Sequence, residues 1–207
     1  MTTRSALLEL LEEFAARAGR EPLTLGHVAE SLGGSSFSIL CIVLSLPFLA
    51  PVSLGPLATA GGLTLALLGW QLLRGASTPH LPQRVRRLEL TPAVWRGLLG
   101  AVRRIVVACT RFSRPRLYGW VEDTRGENLR GWIITSAGLL MAVPLFGMPF
   151  NNALPALAIV LACLGELEDD GVLVILALAT CVVAGLYIGG VLVAFAFLGE
   201  RALDLVG

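Results

Sequence analysis

The sequence predicts an all-α integral membrane protein built on two proline-broken helical hairpins and one long transmembrane helix. Three observations lead there. The 207-residue chain is 55% hydrophobic and 15% charged, against about 25% charged residues in a soluble domain. Its mean hydropathy is +0.76. Charge is absent from three long runs: 43 residues at 31–73, 35 residues at 131–165 and 27 residues at 172–198. Two of these runs also share an internal pattern.

That pattern is a repeat. Residues 37–75 and 132–171 align so that Pro47 matches Pro144, Pro56 matches Pro155, Gly69 matches Gly165 and Gly75 matches Gly171. Each copy is apolar and is interrupted by proline: Pro47, Pro51 and Pro56 in the first, Pro144, Pro149 and Pro155 in the second. Proline removes a backbone donor and crowds the carbonyl four residues back, so a helix breaks there. Two full crossings need roughly 20 apolar residues each plus a turn. The second run is too short for that and too long for one crossing. The expectation is a re-entrant hairpin of two short helices, with its broken backbone covered by protein or lining a cavity. Paired broken segments in two halves of a chain are the sequence mark of a transporter-like core.

The remaining elements follow from periodicity and charge. Residues 1–36 read as two short amphipathic helices, the first with Glu9, Glu12 and Glu13 on its polar face and the second capped by Thr24. In the first hairpin, Ser53 is placed to cap the returning arm, Pro56 suits its first turn, and Trp70 falls where an interfacial anchor sits. The stretch 74–131 holds 12 of the 16 arginines and four acids, so by the positive-inside rule the connector (76–131) is cytoplasmic. Within it, residues 92–114 form a basic amphipathic helix with Arg96, Arg103, Arg104 and Arg111 opposite an apolar face. Such a helix lies in the headgroup plane against anionic lipid rather than on nucleic acid. Residues 172–198 give the one unambiguous transmembrane helix, where Gly185 and Gly189 allow a close helix contact, inside the subunit or in a homodimer. The whole chain is one membrane domain with its N-terminus and connector inside and its C-terminus outside.

The chemistry of an enzyme is not written in this sequence. It offers no nucleophile triad, phosphate loop, metal-ligand spacing or dinucleotide fingerprint, so neither catalytic residue, metal nor cofactor is expected. The four cysteines are scattered and read as small buried hydrophobes. The acids between Glu166 and Asp170, Glu168 among them, read as a solvated interfacial loop.

The stretch 149–171, with its NN, LPALAI and downstream DG, resembles the ExoD-like exopolysaccharide synthesis proteins of bacteria. So do SLPFLAP at 45–51, ALLGWQLLRG and the PHLP at 79–82. The resemblance runs from Leu23 to about Leu198. It departs at Asp169, where the family usually has arginine, and at Glu166, where it tends to be apolar. It implies a multi-pass protein of the bacterial inner membrane, linked to exopolysaccharide production or export. The first functional expectation is a transporter or translocation factor for an anionic or lipid-linked solute. Its site would be formed by Ser53, Asn151 and Asn152 at the half-helix starts, flanked by Gln71 and by Glu166 or Glu168. The bland reading of the asparagine pair is that one merely caps the following helix. The alternative function is a non-transporting scaffold or lipid-binding accessory protein.

Overall fold

The computed structural model describes residues 36–49, 55–76, 78–87, 124–145 and 147–206, with positions 12, 13, 16, 17, 24 and 100. Among these, the regular elements are all helical: α1 (Ser36–Ser45) with a 3-10 turn at Leu46–Phe48, α2 (Pro56–Leu73), the single turn α3 (Gln83–Arg86), α4 (Thr124–Ala142), α5 (Ala153–Leu167) and α6 (Gly171–Val206). Helix–break–helix thus occurs twice, at the prolines. Pro47 falls inside the 3-10 turn, Pro56 opens α2 at its first position, and Pro144 to Asn152 separate α4 from α5.

Contacts between three pairs of helices fix the direction of each. The backbones of α2 and α4 touch through small residues. A methyl group on Gly62 would meet Gly138 O and Ala142 N at 2.7 Å, and one on Gly69 would meet Thr135 N at 2.6 Å. Numbers rise on one helix as they fall on the other, so this pair is antiparallel. Ser38 against Glu166 and Cys41 against Cys163 make α1 antiparallel to α5. Ser136 Oγ lies 3.3 Å from Cys181 Sγ, and Leu140 packs by Gly185, so α4 and α6 run parallel. Both hairpins therefore point the same way. Their feet, the end of α2 and the start of α6 share one end of the bundle, and both breaks lie at the other.

The core is the shared interior of α1, α2, α4, α5 and α6, with Leu40, Leu65, Leu68, Ile133, Ile134 and Ile159 fully buried. The outside is apolar as well. Leu63, Leu67 and Trp70 of α2, Trp132 and Leu139 of α4, and Val182, Leu186, Val193 and Phe197 of α6 are exposed. Two helices are long and apolar enough to cross a membrane, Pro56–Leu73 and Gly171–Leu198. The second hairpin ends beside Tyr187, whose hydroxyl donates to Pro149 O at 2.6 Å. At 1.5 Å per residue that is about 24 Å along α6, whose apolar run continues to Leu198.

Several expectations need correction. The 172–198 run is joined by a second helix, α2, whose 18 residues also have the length and composition to cross a membrane. The arm of the second hairpin starts at Thr124, not at 132, so Arg125, Glu127 and Arg130 are helical. Gly131 lies inside α4, where its missing side chain leaves room for Leu73. The cap of α2 is Gly55 with φ 54° and no side-chain bond, while Ser53 and Pro51 lie outside the described residues. The same holds for Arg96, Arg103, Arg104 and Arg111. Glu12, Glu13, Ala16 and Arg17 are helical and exposed, with Arg17 paired to Glu13 at 2.7 Å.

Candidate functional site at the feet and the tip of the second hairpin

A hairpin carried by an uncharged run places the residues just before and just after that run side by side. Arg130 and Glu166 bracket residues 131–165, and the fold brings them together. Arg130 Nη2 lies 2.9 Å from Glu166 Oε1. Ser38, on α1, donates its hydroxyl to the other carboxylate oxygen, Oε2. One carboxylate thereby ties both hairpins together. The two charges are unequally buried, with 8% of the Arg130 side chain exposed against 30% for Glu166. Arg130 Nε has no partner. Below this cluster Cys41 and Cys163 are buried and adjacent to each other.

The acid cluster that follows is not a solvated loop. Asp170 is 1% exposed and accepts from Val172 N at 2.9 Å, so it caps α6. Asp169 takes φ 51° to make the three-residue turn and is the exposed member. Glu168, half-buried, is the C-cap residue of α5. Beside the feet, exposed Trp70 and Trp132 mark one level of the bundle, and Arg74 stacks 5.1 Å over the Trp70 ring. Gln71 is spent elsewhere. Its amide donates to His80 O at 2.8 Å and accepts from His80 N at 2.7 Å, clasping the 78–82 loop to α2.

The tip is different. Asn151 and Asn152 are both buried, at 6% and 3% exposure. Asn151 Nδ2 donates to Leu145 O at 3.0 Å and closes the break. Asn152 stands at the N-cap position of α5 but makes no capping bond, and its Oδ1 has no partner. The α5 start offers an anion few donors. Leu154 N already bonds Phe150 O, Ala156 N bonds Asn152 O, and Pro155 has no N–H. The group left over is an acceptor, which suits a hydroxyl or another donor. Phe150 beside it is exposed and holds φ 64°, a costly conformation for a bulky residue that concentrates at working sites. The six predicted site residues thus fall apart. Asn151 and Asn152 sit at the tip, Glu166 and Glu168 at the feet, Gln71 serves a loop, and Ser53 is outside the described residues. Sequence reasoning missed Arg130 and Ser38. The signal for Arg130 was its place as the last charge before the uncharged run.

Between α4 and α6 an apolar groove of about 520 Å³ opens outward, with Leu139, Leu140, Leu178 and Val182 on its walls. On α6, a methyl group on Gly189 or Gly190 would meet nothing within 4 Å, while one on Gly185 would lie 3.9 Å from Leu140 Cδ1. Of the two contacts expected there, inside the subunit or in a homodimer, Gly185 faces α4 of its own subunit and Gly189 is left open.

A family model described as "Exopolysaccharide synthesis, ExoD" matches residues 7–190. The chain is 30% identical to protein ExoD of Rhizobium meliloti over 172 residues, 83% of this chain and 71% of that one. It is 24% identical to an uncharacterised protein of Synechocystis over 201 residues, 97% of this chain and 93% of the other. No solved structure matches it. Two apolar helices of spanning length, together with this family, point to a membrane protein. The chain belongs to the ExoD family, which is associated with exopolysaccharide synthesis.

Proposed function

We propose that this chain is a multi-pass protein of the bacterial inner membrane that translocates an anionic or lipid-linked solute during exopolysaccharide production. The arginine-rich connector faces the cytoplasm, and the two hairpins are re-entrant repeats whose breaks face the opposite side. Three features support this: the hairpins share one direction, the second stops about 24 Å along α6, and the bilayer core is about 30 Å thick. The observation that carries the functional reading is the buried tip, where Asn152 keeps an unpartnered amide oxygen. A lone amide in an apolar interior costs a few kcal/mol, and a purely structural break has no use for it.

That cost supplies the test. Replacing a buried, unsatisfied polar group by an apolar residue of similar shape is neutral or stabilising. Asn152→Leu is therefore expected to accumulate in the membrane at wild-type abundance or above. It should nonetheless fail to complement an exopolysaccharide-deficient strain. Full complementation at normal abundance removes the tip from the mechanism and favours the scaffold reading.

A further inference from the structure

Arg130 is the most deeply buried cation among the described residues, and its surroundings do not use it up. One of its five N–H groups is bonded to Glu166 Oε1 at 2.9 Å, and Nε is sealed from solvent without a partner. Ser38 Oγ–H, a second donor, is turned to the same carboxylate. Two donors from different hairpins thus converge on one acceptor, Glu166, which is also the member of the cluster that reaches the surface. The guanidinium fork fits a phosphate with two parallel bonds as well as it fits a carboxylate. The depth is right for such a group. Arg130 lies two residues before Trp132, at the level that exposed Trp70 and Trp132 mark, and aromatic anchors of this kind sit where lipid headgroups are. Of the neighbouring acids, Asp170 is committed to Val172 N and Asp169 faces outward.

We propose that Arg130, with Ser38, is a binding site for a phosphate group, free or carried on a lipid headgroup, and that Glu166 holds the place of that phosphate when the site is empty. On binding, the phosphate oxygens take the Arg130 and Ser38 donors, and the Glu166 carboxylate swings out to water through its exposed side. No covalent step is involved. The site rests on the translocation reading only for the use made of the phosphate. Binding to purified protein is measured apart from complementation, so the two readings fail separately.

The experiment is thermal unfolding of the full chain in maltoside detergent, which carries no phosphate. One arm adds inorganic phosphate and the other adds phosphatidic acid, so the responding arm identifies the source. Wild-type protein is expected to gain about 5–10 °C at a probe concentration about 100-fold above its dissociation constant. Glu166→Gln starts lower, because its arginine has lost the counter-charge, and gains more than wild type from the same probe. Ser38→Ala, which keeps the ion pair and the fold, gains less than wild type. Arg130→Gln does not respond. The proposal is overturned if neither probe moves wild type and Ser38→Ala, or if Arg130→Gln gains as much as wild type.

Discussion

The feet and the tip of the second hairpin are both polar and both buried, yet they differ in what they leave unused. The feet hold a full ion pair braced by a hydroxyl from the other hairpin, and the group left over is a donor, Arg130 Nε. The tip holds two neutral amides, and the group left over is an acceptor, Asn152 Oδ1. The feet join the two hairpins, whereas the described bonds of the tip stay within residues 145–187. The difference teaches that an anion-favouring group lies at the feet, and a donor-favouring group lies at the break. A solute with a phosphate at one end and hydroxyls at the other would match that order.

The largest effect should come from the feet, and it should be lopsided. Breaking a buried pair by removing one partner costs about 3–5 kcal/mol, because a charge is stranded. In Glu166→Gln the stranded charge is the nearly sealed guanidinium, so the full penalty applies in phosphate-free detergent. In Arg130→Met it is a carboxylate that already reaches water, so the loss should be smaller, about 1–3 kcal/mol. Denaturant titration of the two purified variants measures the order. Equal losses would mean that the burial difference does not matter.

At the tip the expected losses are smaller. Asn151→Ala deletes the bond to Leu145 O and leaves that carbonyl only the longer bond from Met148 N at 3.4 Å, at about 1 kcal/mol. The same titration should show a lower midpoint, and faster proteolysis at 143–152 would place the loosening. Tyr187→Phe removes the hydroxyl that anchors Pro149 O to α6 at an exposed position. Its loss should be about 0.5 kcal/mol, with labelling of a cysteine introduced at Phe150 rising modestly. A large loss at Tyr187 together with none at Asn151 would invert the account of what closes the tip.

Much of this architecture could be read from the chain, and the exceptions share a cause. Pro47, Pro56 and the 144–155 cluster act through the backbone at their own positions, so the breaks fell where they were expected. Gly69 and Gly165 were legible as landmarks, and both sit where another helix comes close. Asp170 was legible too, in principle, since an Asp-Gly before an apolar run is a helix-start signal. Ser38, Arg130 and Glu166 were not, because their partnership joins positions up to 128 residues apart. In the sequence Arg130 is one of the 12 arginines of 74–131, set apart only by its place before the uncharged run until the hairpin closes. Gln71 misled in the other direction. A polar residue at the end of an apolar helix looks like a ligand, and it proved to hold the His80 backbone nine residues on.

The claim that the polar groups at the feet serve function rather than stability is tested most directly by removing both charges at once. Exchanging a buried ion pair for apolar residues of similar volume is often neutral or stabilising by about 1–4 kcal/mol. The Arg130→Met, Glu166→Leu double variant should therefore reach wild-type abundance in the membrane. Complementation of an exopolysaccharide-deficient strain is the measurement. The account predicts that this abundant, folded variant fails to restore exopolysaccharide. Full restoration at normal abundance would contradict it, and would leave Arg130, Glu166 and Ser38 as a pin between two hairpins.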